Sequence, residues 1–226
     1  MAPPRPARQV LLLGIVLVLP VVAFLLLKTF GRNAWQLRTY LPERVVTRQV
    51  GAQAVSDTLY HQIEDGLELM TASGQTFNPA RSLAGRVVVL AVKEGGCQEP
   101  ACRAMVKGMG RVQERYKDEP AVKLLFVVPA DSATGLAELA ERAGAISGKW
   151  FFTSGPRPVV AALRAELRDT STTVRAGNRL WLLDAARHVR GIYSGADPRD
   201  IERLLIEVDV LRAIERQQQS ATQLVK

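Results

Sequence analysis

The sequence contains two cysteines, Cys97 and Cys102, which are its candidate reactive side chains. Four residues separate them, so an α-helix would place their side chains about 140° apart around its axis. The sulfurs can therefore meet only if one of them lies outside the helix. With Pro100 in the first helical turn, Cys97 is predicted to lie in a loop and Cys102 in the helix that follows. Such a pair could alternate between dithiol and disulfide or hold a soft metal ion.

The residues alone leave three interpretations of this pair open. A helix N-terminus favours thiolates, because unpaired N–H groups and the positive end of the helix dipole lie beside the sulfurs, so the pair could be reactive. The pair could instead form a static disulfide in an oxidising compartment, or the two thiols could be unrelated buried residues. A disulfide needs a Cα separation of about 5–6 Å, which this spacing permits.

The elements that position the cysteines follow from the hydrophobic pattern. Short apolar runs rich in branched side chains predict strands at residues 86–92, 122–128, 179–184 and 189–193. Apolar residues at helical spacing predict helices near residues 105–116, near 135–143, after Pro158, and after Asp197 as N-cap with Pro198 at the first helical position. This order predicts an α/β fold, a thioredoxin-like central sheet flanked by helices, with the cysteines following the first of these strands.

The charge is distributed unevenly along the chain. The 226 residues carry 30 Lys and Arg against 22 Asp and Glu, a formal net charge of +8. Residues 1–50 hold seven of these cations and one carboxylate, so the rest of the chain is close to neutral. A basic N-terminal segment before a nearly neutral domain is typical of a chain that lies next to a membrane surface. Nucleic-acid binding would instead need a basic stripe on the folded domain. We therefore expect no nucleic-acid partner.

An uncharged apolar segment at residues 10–27 lies between these basic residues. It is long enough to cross a bilayer as one N-terminal transmembrane helix that anchors the chain. A cleaved signal peptide is the alternative, since Arg5 and Arg8 would suit its basic end, but the residues after the segment are basic rather than small. The predicted organisation is a cytoplasmic N-terminus (1–9), an anchor (10–27), a basic juxtamembrane connector (28–56), a thioredoxin-like domain (57–216) and a polar tail (217–226).

Histidines and clustered charges outside the cysteine pair are predicted to be structural. His188 falls in a polar turn between two strands, and His61 precedes the first predicted strand, so solvent contact or hydrogen bonding is expected of them rather than metal binding. Three arginines of the last helix are predicted to lie on a solvated face; they are Arg203, Arg212 and Arg216.

Five segments, in order, resemble those of the SCO/SenC family. They are residues 58–65 (TLYHQIED), 84–89 (AGRVVV), 110–118 (GRVQERYKD), 149–155 (KWFFTSG), and 182–184 with 190–193 (LLD and RGIY). The resemblance spans roughly residues 57–210. It implies a membrane-anchored thioredoxin fold that faces the bacterial periplasm or the mitochondrial intermembrane space. It also implies copper binding and a role in assembling the copper centre of cytochrome c oxidase, with thiol–disulfide chemistry as a companion activity.

The resemblance implies that Cys97 and Cys102 are the catalytic and metal-binding residues, although the family pair has three intervening residues rather than four. The histidine that is the family's third copper ligand corresponds to Ala176 here, so two thiolates could hold Cu(I) whereas affinity for Cu(II) should suffer.

We therefore expect a protein of the bacterial inner membrane with a periplasmic domain that assists respiratory oxidase assembly. It would act through Cu(I) handling or dithiol chemistry, with an oxidase subunit or another thiol protein as partner. The alternatives are a periplasmic thiol–disulfide oxidoreductase, and a partner-binding scaffold with a structural disulfide.

Overall fold

The computed structural model of the protein describes residues 16–22, 24, 37–50, 53–63, 67–167 and 177–223. The chain divides into two units, Met1–Gln36 and Leu37–Lys226. In the first unit, residues 16–22 and 24 are helical. No helix within the described ranges combines the length and the apolar character needed to cross a membrane. Most of the predicted anchor, residues 10–27, lies outside those ranges.

The second unit alternates strands and helices. The strands are β1 (Pro42–Val50), β2 (Gln53–Tyr60), β3 (Leu69–Thr71), β4 (Thr76–Phe77), β5 (Val87–Val92), β6 (Val122–Pro129), β7 (Trp150–Gly155), β8 (Arg179–Leu183) and β9 (Val189–Ser194). The α-helices are α1 (Pro79–Ser82), α2 (Pro100–Arg115), α3 (Leu136–Arg142), α4 (Arg157–Glu166) and α5 (Pro198–Gln223). A turn of 3-10 helix, Ala130–Ser132, follows β6.

Seven of these strands form the central sheet, in the order β4-β3-β7-β6-β5-β8-β9. Strands β5, β6 and β7 are parallel, and β8 runs antiparallel to β5. All six residues of β5 are buried, as expected for a central strand whose two faces are both covered. The predicted α/β layout is confirmed, and the cysteine pair follows the carboxyl end of this central strand.

Alternate side chains of β5 enter two separate cores. One core lies under α2, α3 and α5 and includes Phe126 and Leu204. The other lies under α4 and includes Leu163 and Trp181. The predicted apolar face of the first long helix is buried in the first core; its residues are Met105, Met109, Val112 and Tyr116. This burial fixes α2, and with it Cys102, against the sheet.

Two glycines of α2 have opposite surroundings. A Cβ atom at Gly108 would lie 2.5 Å from the backbone oxygen of Gly195 and 2.8 Å from Cδ1 of Ile201. Helix α2 therefore approaches the segment between β9 and α5 too closely for any side chain. A Cβ atom at Gly110 would have no atom within 4 Å.

We expect Gly108→Ala and Gly110→Ala to change stability in opposite directions. The first should lower the free energy of unfolding by about 1–3 kcal/mol, because the added methyl group meets backbone. The second should raise it by up to about 1 kcal/mol, because alanine is favoured over glycine inside a helix. Urea unfolding of both variants measures the difference, and equal changes would contradict the close approach at Gly108.

Five strands were not predicted from the sequence. Strand β7 contains Thr153 and Ser154 in a buried position, where polarity obscures the strand pattern; the Thr153 hydroxyl donates to the carbonyl oxygen of Phe126 at 3.1 Å. Strands β3 and β4 are only three and two residues long. Strands β1 and β2 form an antiparallel hairpin inside the predicted connector, so the expected domain boundary at residue 57 falls within β2. Alternation of Val and Thr with polar residues suits such a two-stranded ribbon.

The last helix is longer and more buried than predicted. Its N-terminus agrees with the sequence, since the Asp197 carboxylate accepts the backbone N–H of Arg199. The helix continues to Gln223, however, so the boundary predicted at residue 216 falls inside it. The prediction that Arg212 lies on a solvated face is wrong: its side chain is 11% exposed and pairs with Glu215 at 2.7 Å. That carboxylate partner allows the charge to be buried.

Candidate redox site

Cys97 and Cys102 form a disulfide at the carboxyl end of β5, with a Cα separation of 5.3 Å. Cys97 lies in the loop after the strand and Cys102 is the third residue of α2, so the predicted placement of both residues is confirmed. Cys97 is partly exposed, whereas Cys102 has 0% exposure and belongs to the core. Cys97 is therefore the cysteine of the pair that an attacking thiolate can approach, whereas Cys102 is enclosed.

The start of α2 is set by residues between the two cysteines. Pro100 occupies the first helical position, where its missing N–H costs nothing and its fixed φ suits the helix. Glu99 stands at the N-cap with extended backbone, and its side chain makes no capping hydrogen bond. The Arg103 guanidinium donates to the carbonyl oxygen of Gln98 at 2.6 Å, which ties the loop to the helix. Cys102 consequently lies in the first turn of a 16-residue helix, at its positive end.

Helix α4 holds the beginning of the same loop from the other face of the sheet. Arg157 donates to the carbonyl oxygen of Glu94 at 3.3 Å, and Arg164 pairs with the Glu94 carboxylate. Arg157 also pairs with Asp131 at 2.7 Å, and this hydrogen-bonded pair lowers the pKa of the Asp131 carboxyl below its ordinary value. The loop that carries Cys97 is thus attached to α4 and to the turn after β6.

Lys93 is a buried cation that the sequence analysis did not single out. It directly follows β5 and is 4% exposed. Its ammonium donates to the carbonyl oxygen of Gly177 at 2.9 Å and lies 3.6 Å from the carboxylate of Glu99. A charged residue at the end of a wholly apolar strand was the available signal. Its ion pair with Glu99 ties the end of β5 to the loop between the two cysteines.

Two cavities meet at Cys97. The larger, about 740 Å³, lies between α2 and α3, and Arg103, Lys107 and Arg142 are among its lining residues. The smaller, about 140 Å³, lies between the end of β6 and α3 and is lined in part by Ser132 and Thr134. The accessible sulfur therefore opens onto a basic groove rather than onto a flat surface.

Both histidines lie at the opposite end of the sheet. His188 follows β8, whose last residue, Leu183, pairs with Val88 near the start of β5. His61 is next to Gln62, which bridges to His188. The six residues of β5 put about 20 Å between these imidazoles and the disulfide. His61 hydrogen-bonds Glu43 at 2.7 Å and His188 contacts Asp184 at 3.3 Å, as their predicted structural roles require.

The donor set around the disulfide does not suit Cu(II). Neither imidazole can reach the sulfurs, and Ala176, the position of the family's third ligand, lies outside the described residues. Among the residues that the structure describes, no group of three or more His, Cys, Asp and Glu side chains is arranged to hold a metal ion. Reduction of the disulfide supplies two thiolates as donors, and such a pair suits Cu(I).

The central strand of the α/β sheet leads into a cysteine pair at a helix N-terminus, which is the arrangement of a thioredoxin-like fold. A SCO1/SenC family lipoprotein from Bacillus anthracis shares this fold with a TM-score of 0.55 and 19% identity, over 67% of this chain and 95% of that one. BsSco, a member of the Sco family of cytochrome c oxidase assembly proteins with a disulfide switch, has a TM-score of 0.54 and 16% identity, over 67% and 93%.

A yeast mitochondrial 1-Cys peroxiredoxin is also similar, with a TM-score of 0.51 and 16% identity, over 70% of this chain and 79% of that one. No protein-family model and no curated protein matches the sequence. At these identities the comparisons show the fold, and the resemblance to SCO/SenC proteins predicted from the sequence is confirmed at that level.

Proposed function

We propose that this protein exchanges its Cys97–Cys102 disulfide with the thiols of a partner protein during assembly of a respiratory oxidase. The observation that carries the proposal is the asymmetry of the pair: a partly exposed Cys97 in a loop is bonded to a fully buried Cys102 at a helix N-terminus. Structural disulfides have no need of an accessible sulfur, whereas exchange requires one.

The exchange step follows from this geometry. A partner thiolate attacks Sγ of Cys97, a new S–S bond forms, and the bond to Cys102 breaks, so that Cys102 leaves as a thiolate. The first turn of α2 stabilises that negative charge through its unpaired N–H groups and its dipole. A second partner thiolate then attacks the partner's own sulfur and releases the Cys97 thiolate. The partner is oxidised by two electrons and becomes a disulfide, and this protein becomes a dithiol.

Cu(I) handling is the second candidate, with copper as cargo rather than as resident cofactor. It is supported by the two sulfurs, which become thiolates, soft ligands for Cu(I), in the reduced state. The nearby ammonium of Lys93 is paired with the carboxylate of Glu99, so it does not argue against a bound cation. The difference in exposure between Cys97 and Cys102 is a requirement of thiol exchange and not of metal binding, so dithiol chemistry is the first candidate.

The location belongs to the same proposal. The apolar segment at residues 10–27 supports an anchor in the bacterial inner membrane, and the basic residues around it suit a membrane surface. The thiol chemistry requires a compartment in which disulfides persist, such as the periplasm. The oxidase partner is supported by the shared fold with BsSco, which belongs to a family of cytochrome c oxidase assembly proteins.

The reduction potential of the 226-residue chain in detergent tests this proposal. Equilibration in thiol–disulfide buffers should give a reduction potential well above about −300 mV, because structural disulfides typically lie below that potential. A lower potential would contradict disulfide exchange and would support the alternative of a partner-binding scaffold with a structural disulfide. Titration of the reduced protein with Cu(I) separates the second candidate, which predicts one ion per chain and loss of binding in Cys102→Ser.

A further inference from the structure

The larger cavity beside Cys97 is an elongated groove between α2 and α3, which we call the α2–α3 groove. Its floor is apolar and includes Val106, Leu139 and Ala143. Cys97 lines one part of it, and Gly110 lines another, more than two helical turns along α2 from Cys102. A molecule lying in the groove would therefore contact the accessible sulfur and the exposed side of α2 at the same time.

A row of cations follows the groove along α2. Arg103, Lys107 and Arg111 are spaced four residues apart, which places them on one side of the helix at intervals of about 6 Å; we call them the basic ridge. Arg111 pairs with Glu202, whereas Arg103 is bonded to a carbonyl oxygen, that of Gln98. Within the described ranges, Lys107 has neither an ion-pair nor a hydrogen-bond partner. Two of the three cations thus carry charge that no carboxylate of the described chain offsets.

The rest of the groove does not neutralise this charge. Glu114 is the only carboxylate among the described residues that line it, and it pairs with Lys117 at 2.9 Å. On the α3 side, Arg142 adds another cation, which pairs with Glu138 at 3.2 Å. The charge of the groove therefore favours an anionic occupant.

Gly110 keeps the groove open at a cost to the helix. Glycine inside a helix is less favourable than alanine by about 1 kcal/mol. Nothing lies within 4 Å of the position that a Cβ atom would take at Gly110, so packing within this chain does not require the glycine. Gly108, in contrast, is required by its contact with α5. A side chain at residue 110 would project into the groove.

We propose that the α2–α3 groove binds an extended, acidic segment of the thiol partner, with the partner's cysteine at Cys97 and its Asp or Glu residues along the basic ridge. From Arg103 to Arg111 the ridge is about 12 Å long, which corresponds to three or four residues of extended chain. The acidic residues should accordingly lie within about five positions of the reacting cysteine. An apolar floor between cations suits a polypeptide better than a small anion. This inference rests on the proposed disulfide exchange.

Binding of an unreactive peptide tests the groove separately from the chemistry. The probe is a fluorescein-labelled extended peptide with serine in place of cysteine and three nearby glutamates, compared with the same peptide carrying glutamines. At low ionic strength the oxidised protein should bind the glutamate peptide about tenfold more tightly, the sum of a few exposed ion pairs. Added salt should remove the difference. Equal binding of the two peptides would overturn the proposal.

Charge reversal on the ridge should act only on the acidic peptide. Lys107→Glu is expected to weaken its binding about tenfold and to leave the glutamine peptide unaffected. Arg81→Glu is the matched control, because Arg81 is an exposed cation in α1, which precedes the start of β5. The disulfide follows the other end of that strand. An equal loss in Arg81→Glu would show a general charge effect and would contradict docking on the ridge.

Steric closure of the groove provides an independent test. Gly110→Leu should weaken both peptides, because the side chain occupies the groove, while thermal unfolding shows that the fold is retained. Ala162→Leu places the same side chain on the exposed surface of α4, which covers the other face of the sheet, and should leave binding unchanged. Retained affinity in a folded Gly110→Leu protein would place the peptide elsewhere and overturn the proposal.

The cysteine form of the peptide separates this inference from the proposed function. Both cysteine peptides attack as thiolates, so Lys107→Glu should slow the glutamate peptide about tenfold more than it slows the glutamine peptide. If exchange occurs without any charge dependence, the proposed function stands and docking in the α2–α3 groove is contradicted. Charge-dependent binding of the serine peptide without exchange would support the groove and contradict the function.

Discussion

Cys102→Ser should trap the partner as a lasting mixed disulfide, whereas Cys97→Ser should not. With Cys102 replaced, the remaining thiol at Cys97 is partly exposed and can attack a partner disulfide, but the Cys102 thiol that would displace the reduced partner from Cys97 is absent. With Cys97 replaced, the remaining thiol has 0% exposure and is enclosed by the core under α2. The two variants differ by a single sulfur each, so the contrast isolates accessibility.

The alkylation rate of each single-cysteine variant measures this contrast. We expect Cys97 in Cys102→Ser to react with iodoacetamide at least about 100-fold faster than Cys102 in Cys97→Ser, because the thiolate must be both formed and reached. Denaturant should abolish the difference, which provides the internal control. Comparable rates in the folded proteins would mean that Cys102 is exposed by opening of the loop, and the proposed order of attack would then be wrong.

Arg212→Met should be strongly destabilising. The Arg212 side chain pairs with Glu215 at 2.7 Å, and the two side chains are 11% and 8% exposed. It also reaches Glu119, just before β6, at 3.3 Å. Removal of the guanidinium leaves the Glu215 carboxylate buried without its counter-ion, for which we expect a loss of about 3 kcal/mol in the free energy of unfolding.

The double variant Arg212→Met/Glu215→Met should recover most of that loss. Two apolar side chains of similar length can fill the same space without a buried charge. A residual cost of about 1 kcal/mol is expected, because the backbone N–H of Ala185 loses its acceptor on Glu215. Urea unfolding of the two single variants and the double variant closes the cycle. Additive losses would show that the pair contributes nothing beyond the separate side chains.

The elements that could be predicted from the sequence are those with a long and regular hydrophobic pattern. The apolar run after Arg86 identifies the central strand. Apolar residues spaced three and four apart identify the helix α2 that follows it. The placement of Cys97 in the loop and Cys102 in the helix followed from Pro100 and from the number of residues per helical turn. These are local properties, and the structure agrees with them.

The missed features depend on contacts between distant segments. Arg212 looks like a surface residue until Glu119 and Glu215 are brought beside it. Lys93 acquires its role only when the loop containing Gly177 approaches β5. The α2–α3 groove likewise arises from two helices whose relative position no spacing within either helix determines. Burial of charge and the shape of a cavity are tertiary properties, and local pattern does not encode them.

Both imidazoles of the chain stand at the far end of the sheet from the sulfur pair, and histidine is the side chain that ordinarily gains or loses a proton between about pH 5 and pH 8. No such proton switch therefore lies next to the disulfide. A thiol protein arriving from a neutral or from a mildly acidic medium should meet the same electrostatic face.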